Sequence, residues 1–330
     1  MTAVDLPSFV IFITNLIILA LIYSLLAIGL NIHFGYTGLL NFGHVAFFAA
    51  GAYTAAILTI PPPGSFQGTV NYTFGLGLPM PAAFPISLAA GAIAGGILAL
   101  LIGLTSIRLD HHYLAVATFA LAGIFENFIR NEEWLTRGVF GLNEVPRPGA
   151  AMLGTDLWQV IYLVFTLVLT TGVYVFTNRM MNAPFGRLLK GIREDEDAAQ
   201  MLGKDTNLVK LKSFVVGGMI AGLAGAVFAH WVGSVVAGQF VDEVTFMIWM
   251  AMLLGGAGSN RGVILGSFLF IAFRETTRFL PQIADDPSTI PSLRLAIVGL
   301  LLLLVIHYRP QGLMGNLDEI VVSESGGDDQ

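Results

Sequence analysis

The sequence predicts an all-α integral membrane protein with about nine (8–10) transmembrane helices, judged by the length of its apolar runs. Three observations carry that prediction. Of the 330 residues, 55% are hydrophobic and 12% charged, with a mean hydropathy of +0.76, whereas a soluble domain carries about 25% charged residues. Several apolar runs approach or exceed the roughly 20 residues that cross a bilayer as a helix. The chain also holds 38 glycines, which in so apolar a setting point to close helix contacts.

The first apolar run, 8–30, has no basic flank, because the first Lys or Arg of the chain is Arg108. It is also too long for the apolar region of a signal peptide, so it is expected to stay as a spanning helix. Runs at 42–60, 84–107, 113–130 and 158–178 follow, then 213–237, 244–257, 262–280 and 293–308. The two runs between 244 and 280 have the least distinct limits. Small residues recur four apart at Gly91 and Gly95, Gly218 and Gly222, and Gly262 and Gly266. That spacing lets helix backbones approach, and the expected use is packing within one subunit, with a dimer seam as the alternative. The glycine-punctuated helices after Leu40 and after Gly258 resemble one another, as in a duplicated architecture.

Charge sets the orientation. Seven of the 16 Lys and Arg residues fall between Arg179 and Lys212, so the positive-inside rule makes the loop at about 179–212 cytoplasmic. Counting spans outward puts Arg108, Arg261 and Arg309 inside. The segments 61–81, 131–156 and 281–291 then face outside, the last with Asp285 and Asp286. The amino terminus is expected outside and the carboxyl terminus inside, with 316–330 as an acidic, solvated tail. The whole chain, 1–330, reads as a single membrane domain. A re-entrant segment near 35–43 would change the first half of this count.

Within the cytoplasmic loop, 186–202 has a rough apolar stripe of Leu188, Leu189, Ile192, Ala199 and Leu202 and is expected to be helical. Gly203 stands where such a helix ends. By itself the segment is equally a solvated linker between two spans. Earlier in the chain, Gly35, Gly38 and Gly43 punctuate a break that also holds Asn41 and is flanked by His33 and His44. A broken helix there would expose backbone polar groups to a translocation path, the alternative being a packed cytoplasmic turn. His33 and His44 lie too far apart, with no acid between them, to suggest a metal site. Glu126 and Arg130, four apart on one helix face, are expected to pair near the outer interface. Arg274, Glu275 and Arg278 read as anchors at a span end, or as a contact for an extracytoplasmic partner. His111 and His112 read as a polar helix start.

The chain has no cysteine, which removes thiol chemistry and disulfides. Its net charge of −6 argues against nucleic acid as a partner. It has no phosphate loop: Gly203-Lys204 is followed by Asp205, and Ala198 stands where the first glycine would be. Serine-hydrolase and zinc-protease patterns are absent too. The chain is therefore read as a non-enzyme that needs neither cofactor nor metal.

Asp197-Ala198-Ala199, followed after three residues by Gly203, resembles the EAA loop of ABC importer permeases. Asp replaces the leading Glu, and the Leu-Pro of the fuller pattern is missing. Four blocks extend the resemblance from residue 31 to residue 315. They are 31–58 (NIHFGYTGLLNFGHVAFFAAGAYTAAIL), 191–230 (GIREDEDAAQMLGKDTNLVKLKSFVVGGMIAGLAGAVFAH), 252–266 (MLLGGAGSNRGVILG) and 308–315 (YRPQGLMG). They are similar to branched-chain amino acid permeases of the LivM type, and the 35–43 stretch looks closer to LivM than to its LivH partner.

The resemblance implies a multi-pass cell-membrane subunit of an ATP-driven importer for branched-chain or hydrophobic amino acids. Its implied partners are a second LivM- or LivH-type permease, two ATP-binding cassette subunits, an extracytoplasmic binding protein and membrane lipid. Most selectivity would then reside in the binding protein. Glu194, Asp197, Ala198, Ala199 and Gly203 would form the loop that couples to the ATPase. Gly35, Gly38, Asn41, Gly43 and His44 are the candidate path residues. Two alternatives stay open: the same architecture carrying urea, amides or another small polar solute, and a stand-alone secondary transporter or channel using Glu126.

Overall fold

The computed structural model describes residues 8–60, 79–107, 109, 111–150, 154–276, 300 and 312–314. The expected span at 293–308, the acidic tail, and Arg108, Arg278, Asp285, Asp286 and Arg309 lie outside the described residues. Eleven helices are described, and they take most of the chain: α1 Ser8–Asn31, α2 His44–Thr59, α3 Met80–Ser106, α4 His111–Asn131, α5 Glu133–Thr136 and α6 Thr155–Asn182. Then come α7 Pro184–Glu194, α8 Glu196–Met201, α9 Thr206–Val232, α10 Asp242–Gly255 and α11 Asn260–Thr276. Six helical stretches are long and apolar enough to cross a membrane, while α2 is apolar but shorter. The helices α1 to α4, α6, α9, α10 and α11 correspond to eight of the nine expected runs.

The centre of the bundle is α1, α2, α3 and α9. Helix α1 and the part of α9 beyond Lys212 are apolar on all sides, so they belong inside, since a surface helix of a soluble fold would carry one polar face. Ile18, Leu25, Leu26, Leu30, Phe47 and Phe214 are fully buried there. Outward faces of α3, α4 and α6 instead leave Ile97, Leu101, Val116, Ile124 and Val168 exposed. An apolar belt of that extent is stable only against lipid or another apolar partner.

The recurring glycines serve packing within the chain. Helices α3 and α9 run antiparallel, with Gly91 and Gly95 against Gly222 and Gly218. A Cβ on Gly51 of α2 would lie 1.9 Å from the Gly222 carbonyl oxygen, so no side chain fits between these backbones. Helices α10 and α11 form an antiparallel hairpin in which Gly266 packs on Ala251 and Gly262 on Gly255. Dispersion across such close backbones holds apolar helices together where water exclusion offers no drive.

At the end of the bundle opposite the basic loop, two short strands pair: β1 (Leu142–Asn143) and β2 (Ser234–Val235). Leu142 faces Val235 in an antiparallel register, and Val145 N–H donates to the Gly233 carbonyl at 3.0 Å. This clasp ties the connection between α4 and α6 to the end of α9.

Candidate functional site

The basic loop folds into α7 and α8, which meet at Asp195. The structure thus interrupts the single helix expected over 186–202. Asp195 adopts an extended conformation (φ −152°, ψ 100°), and its carboxylate accepts the Ala198 N–H at 2.9 Å. A short carboxylate competes with helical continuation and caps the next turn instead. Helix α8 then stops at Gly203, whose φ of +74° favours glycine. Gly203 N–H donates to Gln200 O at 2.8 Å, and Lys204 N–H to Ala199 O at 3.2 Å. Asp205 restarts the chain as α9 by accepting Leu208 N–H at 3.0 Å.

The candidate coupling residues therefore lie together on one short projecting helix and its flanks. Ala199 is buried, while Glu194, Asp197, Ala198 and Gly203 are exposed. Glu196, absent from the candidates, ties this helix down: it accepts from Thr206 Oγ1 at 2.9 Å and is ion-paired with Lys210 of α9. Burial pushes the Glu196 carboxyl up. The Lys210 and Thr206 hydrogen bonds, the Lys210 charge and a Gln200 hydrogen bond outweigh this and hold its pKa below the ordinary carboxylate value. At the tip, Met201 and Leu202 are 88% and 79% exposed. An apolar pair ending a charged helix was the available sequence signal for them.

The second candidate set surrounds the end of α1. Beyond Asn31 the helix widens into a π-turn, Ile32–Tyr36, and Thr37 Oγ1 donates to Ile32 O at 2.8 Å. The glycines here allow close approach and a tight turn. A Cβ on Gly35 would lie 2.5 Å from Gly258 N, one on Gly43 would lie 2.3 Å from Thr118 O, and Gly38 has a φ of +78°.

Asn41 sits at the centre of this joint. Its Oδ1 accepts Gly43 N–H at 2.9 Å, its Nδ2 meets His33 Nδ1 at 3.0 Å and His44 Nδ1 at 3.5 Å, and its carbonyl accepts Trp249 Nε1–H at 3.0 Å. His33 Nε2 donates to Phe214 O at 2.9 Å, and His44 Nε2 to Leu26 O at 3.0 Å. These acceptors require the Nε2–H tautomer of each ring, leaving Nδ1 to receive the Asn41 amide. Asn31 adds Nδ2–H to Asn260 Oδ1 at 3.0 Å and accepts Gly258 N–H at 2.8 Å. Gly35, Asn41, Gly43 and His44 are buried, and Gly38 is half-buried. A cavity of about 340 Å³ beside the joint is lined instead by residues such as Tyr36, Asn178, Lys190, Ser259 and Asn260.

The two candidate sets touch through a residue that sequence alone did not single out. Arg193 of α7 donates Nη1–H to the Gly35 carbonyl, and its stem packs at 3.3 Å from where a Gly38 Cβ would stand. No spacing rule connects positions 158 apart in the chain, so only the fold reveals this contact.

Elsewhere, Glu126 Oε1 pairs with Arg130 Nη2 at 2.7 Å on the same helix. Arg274 Nη1 donates to Tyr23 OH at 3.1 Å. Helix α4 begins at His111. Among the described residues, no group of three or more His, Asp or Glu side chains is placed to hold a metal.

Comparison with known proteins places this arrangement. The family described as branched-chain amino acid transport system / permease component matches residues 12–306. The high-affinity branched-chain amino acid transport system permease protein LivM of Salmonella typhimurium is 30% identical over 321 residues, covering 90% of this chain and 68% of that protein. A probable LivM from Methanocaldococcus jannaschii is 26% identical, covering 89% of this chain and 90% of its own. The LivH protein of Escherichia coli is 24% identical over 89% of this chain and 91% of its own. No solved structure matches. With a family match spanning nearly the whole apolar bundle and higher identity to LivM than to LivH, the chain belongs to the branched-chain amino acid transport permeases and is a multi-pass membrane permease of the LivM type.

Proposed function

We propose that this chain is one of two permease subunits in an ATP-driven importer that takes branched-chain amino acids from an extracytoplasmic binding protein. One observation carries the reading: a capped, rigid α7–α8 unit exposes apolar residues at its tip and is fastened at its root to the membrane helices. Met201 and Leu202 offer the apolar contact that an ATPase groove would bury. The Glu196–Lys210 pair fixes α8 to α9, and Arg193 fixes α7 to the joint at Gly35. A push on the tip is thereby delivered to α9 and to the end of α1 at once.

In this mechanism Glu194, Asp197, Ala198, Ala199 and Gly203 form the docking lever. Gly35, Gly38, Asn41, Gly43 and His44 form the joint whose rearrangement opens and closes the path. ATP-driven approach of two nucleotide-binding subunits would favour one arrangement of the lever, and release would favour the other. Such coupling requires partner contacts that differ between the two states. The branched-chain substrate is the one named for the LivM and LivH relatives. A stand-alone ion-driven carrier would use Glu126, but that carboxylate already faces Arg130 one turn away.

The test is a crosslink from Asp197→Cys in native membranes. We expect an ATP-binding subunit joined at that position and a second permease co-purifying. Recovery of the chain alone, with leucine uptake intact, would overturn the reading.

A further inference from the structure

At the end of the bundle opposite the basic loop, α1, α6, α9 and α11 enclose an open cavity of about 670 Å³. That is within the roughly 300–1,000 Å³ of small-molecule sites. Its polar groups divide by sign. Arg147 stands on one wall, held by Nη2–H donation to Val232 O at 2.9 Å and by the Trp158 ring 5.3 Å from its Cζ. Among the described residues no ion pair is formed by Arg147, whose guanidinium carries five N–H donors suited to an anion. Glu275 of α11 lines the same cavity, as does Gln159 of α6. Gln159 Oε1 itself is shut off from the cavity, so Glu275 is the acceptor that faces a ligand there. Leu16, Leu19 and Trp231 add apolar lining.

We propose that this cavity is a transit site for a zwitterionic aliphatic α-amino acid, with Arg147 receiving the carboxylate and Glu275 the ammonium. The assignment rests on the importer reading above and adds to it a place where the substrate sits after release from the binding protein. A carboxylate needs donors, an ammonium needs acceptors, and a branched side chain needs apolar surface. The cavity supplies all three. A fatty acid would use only Arg147, and an alkylamine only Glu275. A polar solute such as urea would leave the leucines and the indole without a partner. Because the occupant must leave again, its binding is expected to be weak, with a Kd on the order of 1 mM.

The experiment uses the full chain in phosphatidylcholine nanodiscs, with binding read from the fluorescence of the cavity tryptophans Trp158 and Trp231. Leucine, 4-methylpentanoate (no ammonium) and 3-methylbutylamine (no carboxylate) are titrated in turn. We expect saturable binding of leucine, and binding about tenfold or more weaker for each analogue, the loss expected when a charge-assisted hydrogen bond is removed. Arg147→Gln should abolish the preference for leucine over the amine and keep its preference over the acid. Glu275→Gln should do the converse. These reciprocal losses would not arise from general misfolding.

Equal binding of all three ligands, no saturable leucine signal, or variants that bind as the parent does would each overturn the proposal. So would a signal that appears only in phosphatidylethanolamine nanodiscs and does not respond to leucine, since the site would then hold a lipid headgroup. Uptake by the assembled transporter separates the two readings. Normal leucine uptake by Arg147→Gln and Glu275→Gln sinks the site and leaves the importer standing. Absence of any ATP-dependent uptake in the parent sinks the importer reading itself.

Discussion

Gly203 illustrates what a single residue contributes to the lever. Nothing lies within 4 Å of where its Cβ would be, yet its φ is +74°. A substitution there meets no clash and is decided by backbone strain alone, about 1–2 kcal/mol for most residues and less for asparagine. Gly203→Val is therefore expected to abolish uptake with normal membrane insertion, while Gly203→Asn retains most of it. Equal uptake by both variants would show that the left-handed turn is dispensable. Glu196 supports the same helix through charge. Its pKa in the folded chain lies below the ordinary value, so its stabilising pairing with Lys210 is complete above the ordinary carboxylate range. It is lost as the pH falls through the lowered value. Protection of α8 against hydrogen exchange, taken relative to the intrinsic rates, should fall on acidification only below that range. Glu196→Gln should lose this acid step, and a parent chain whose exchange follows intrinsic rates across the range would contradict the assignment.

Between elements, the contact between α7 and the π-turn Ile32–Tyr36 matters most. Arg193 is the physical link between the lever and the joint, and a charged donor to a backbone carbonyl is worth about 1.5–3 kcal/mol. Arg193→Ala is expected to leave assembly with the ATPase intact and to reduce uptake about tenfold or more, because the push is no longer passed on. Loss of co-purification in this variant would instead mean that Arg193 serves docking. The joint also refines a sequence-level expectation. Its glycines mark the expected break, but Gly35 and Gly43 are needed there because Gly258 and Thr118 approach too closely for a side chain. The joint is a packed, hydrogen-bonded unit, so any change there would be a rearrangement between discrete packings, as in other close-packed interiors.

At the scale of the whole molecule, the exposed apolar faces of α3, α4 and α6 surround a centre in which α1, α2 and α9 are mostly buried. The candidate groups lie at the two ends of that centre: the proposed lever and joint at one, the Arg147–Glu275 cavity at the other. This two-ended layout suits the proposed alternating access, and Glu126 of α4 is already ion-paired with Arg130. Glu126→Gln is accordingly expected to change uptake by no more than about twofold, the scale of a partly exposed ion pair. Loss of uptake in Glu126→Gln, together with uptake in the absence of any ATPase, would favour a stand-alone carrier.

Membrane class, most helix positions and the helical character of the 179–212 loop were legible in the residues themselves. Apolar run length, glycine spacing and the charge of the 179–212 loop are local signals, written in consecutive positions. The end of α8 at Gly203 and the Glu126–Arg130 pair were legible for the same reason, since cap and partner lie within one turn. The break at Asp195 was missed because an apolar stripe runs on across it, and only the side-chain cap on Ala198 reveals it. Arg193 on Gly35, Asn31 on Asn260, and the meeting of Arg147, Gln159 and Glu275 around one cavity were decided by tertiary structure alone. Each joins residues far apart in the chain, and sequence periodicity records which face of a helix is apolar, not which other helix that face will meet.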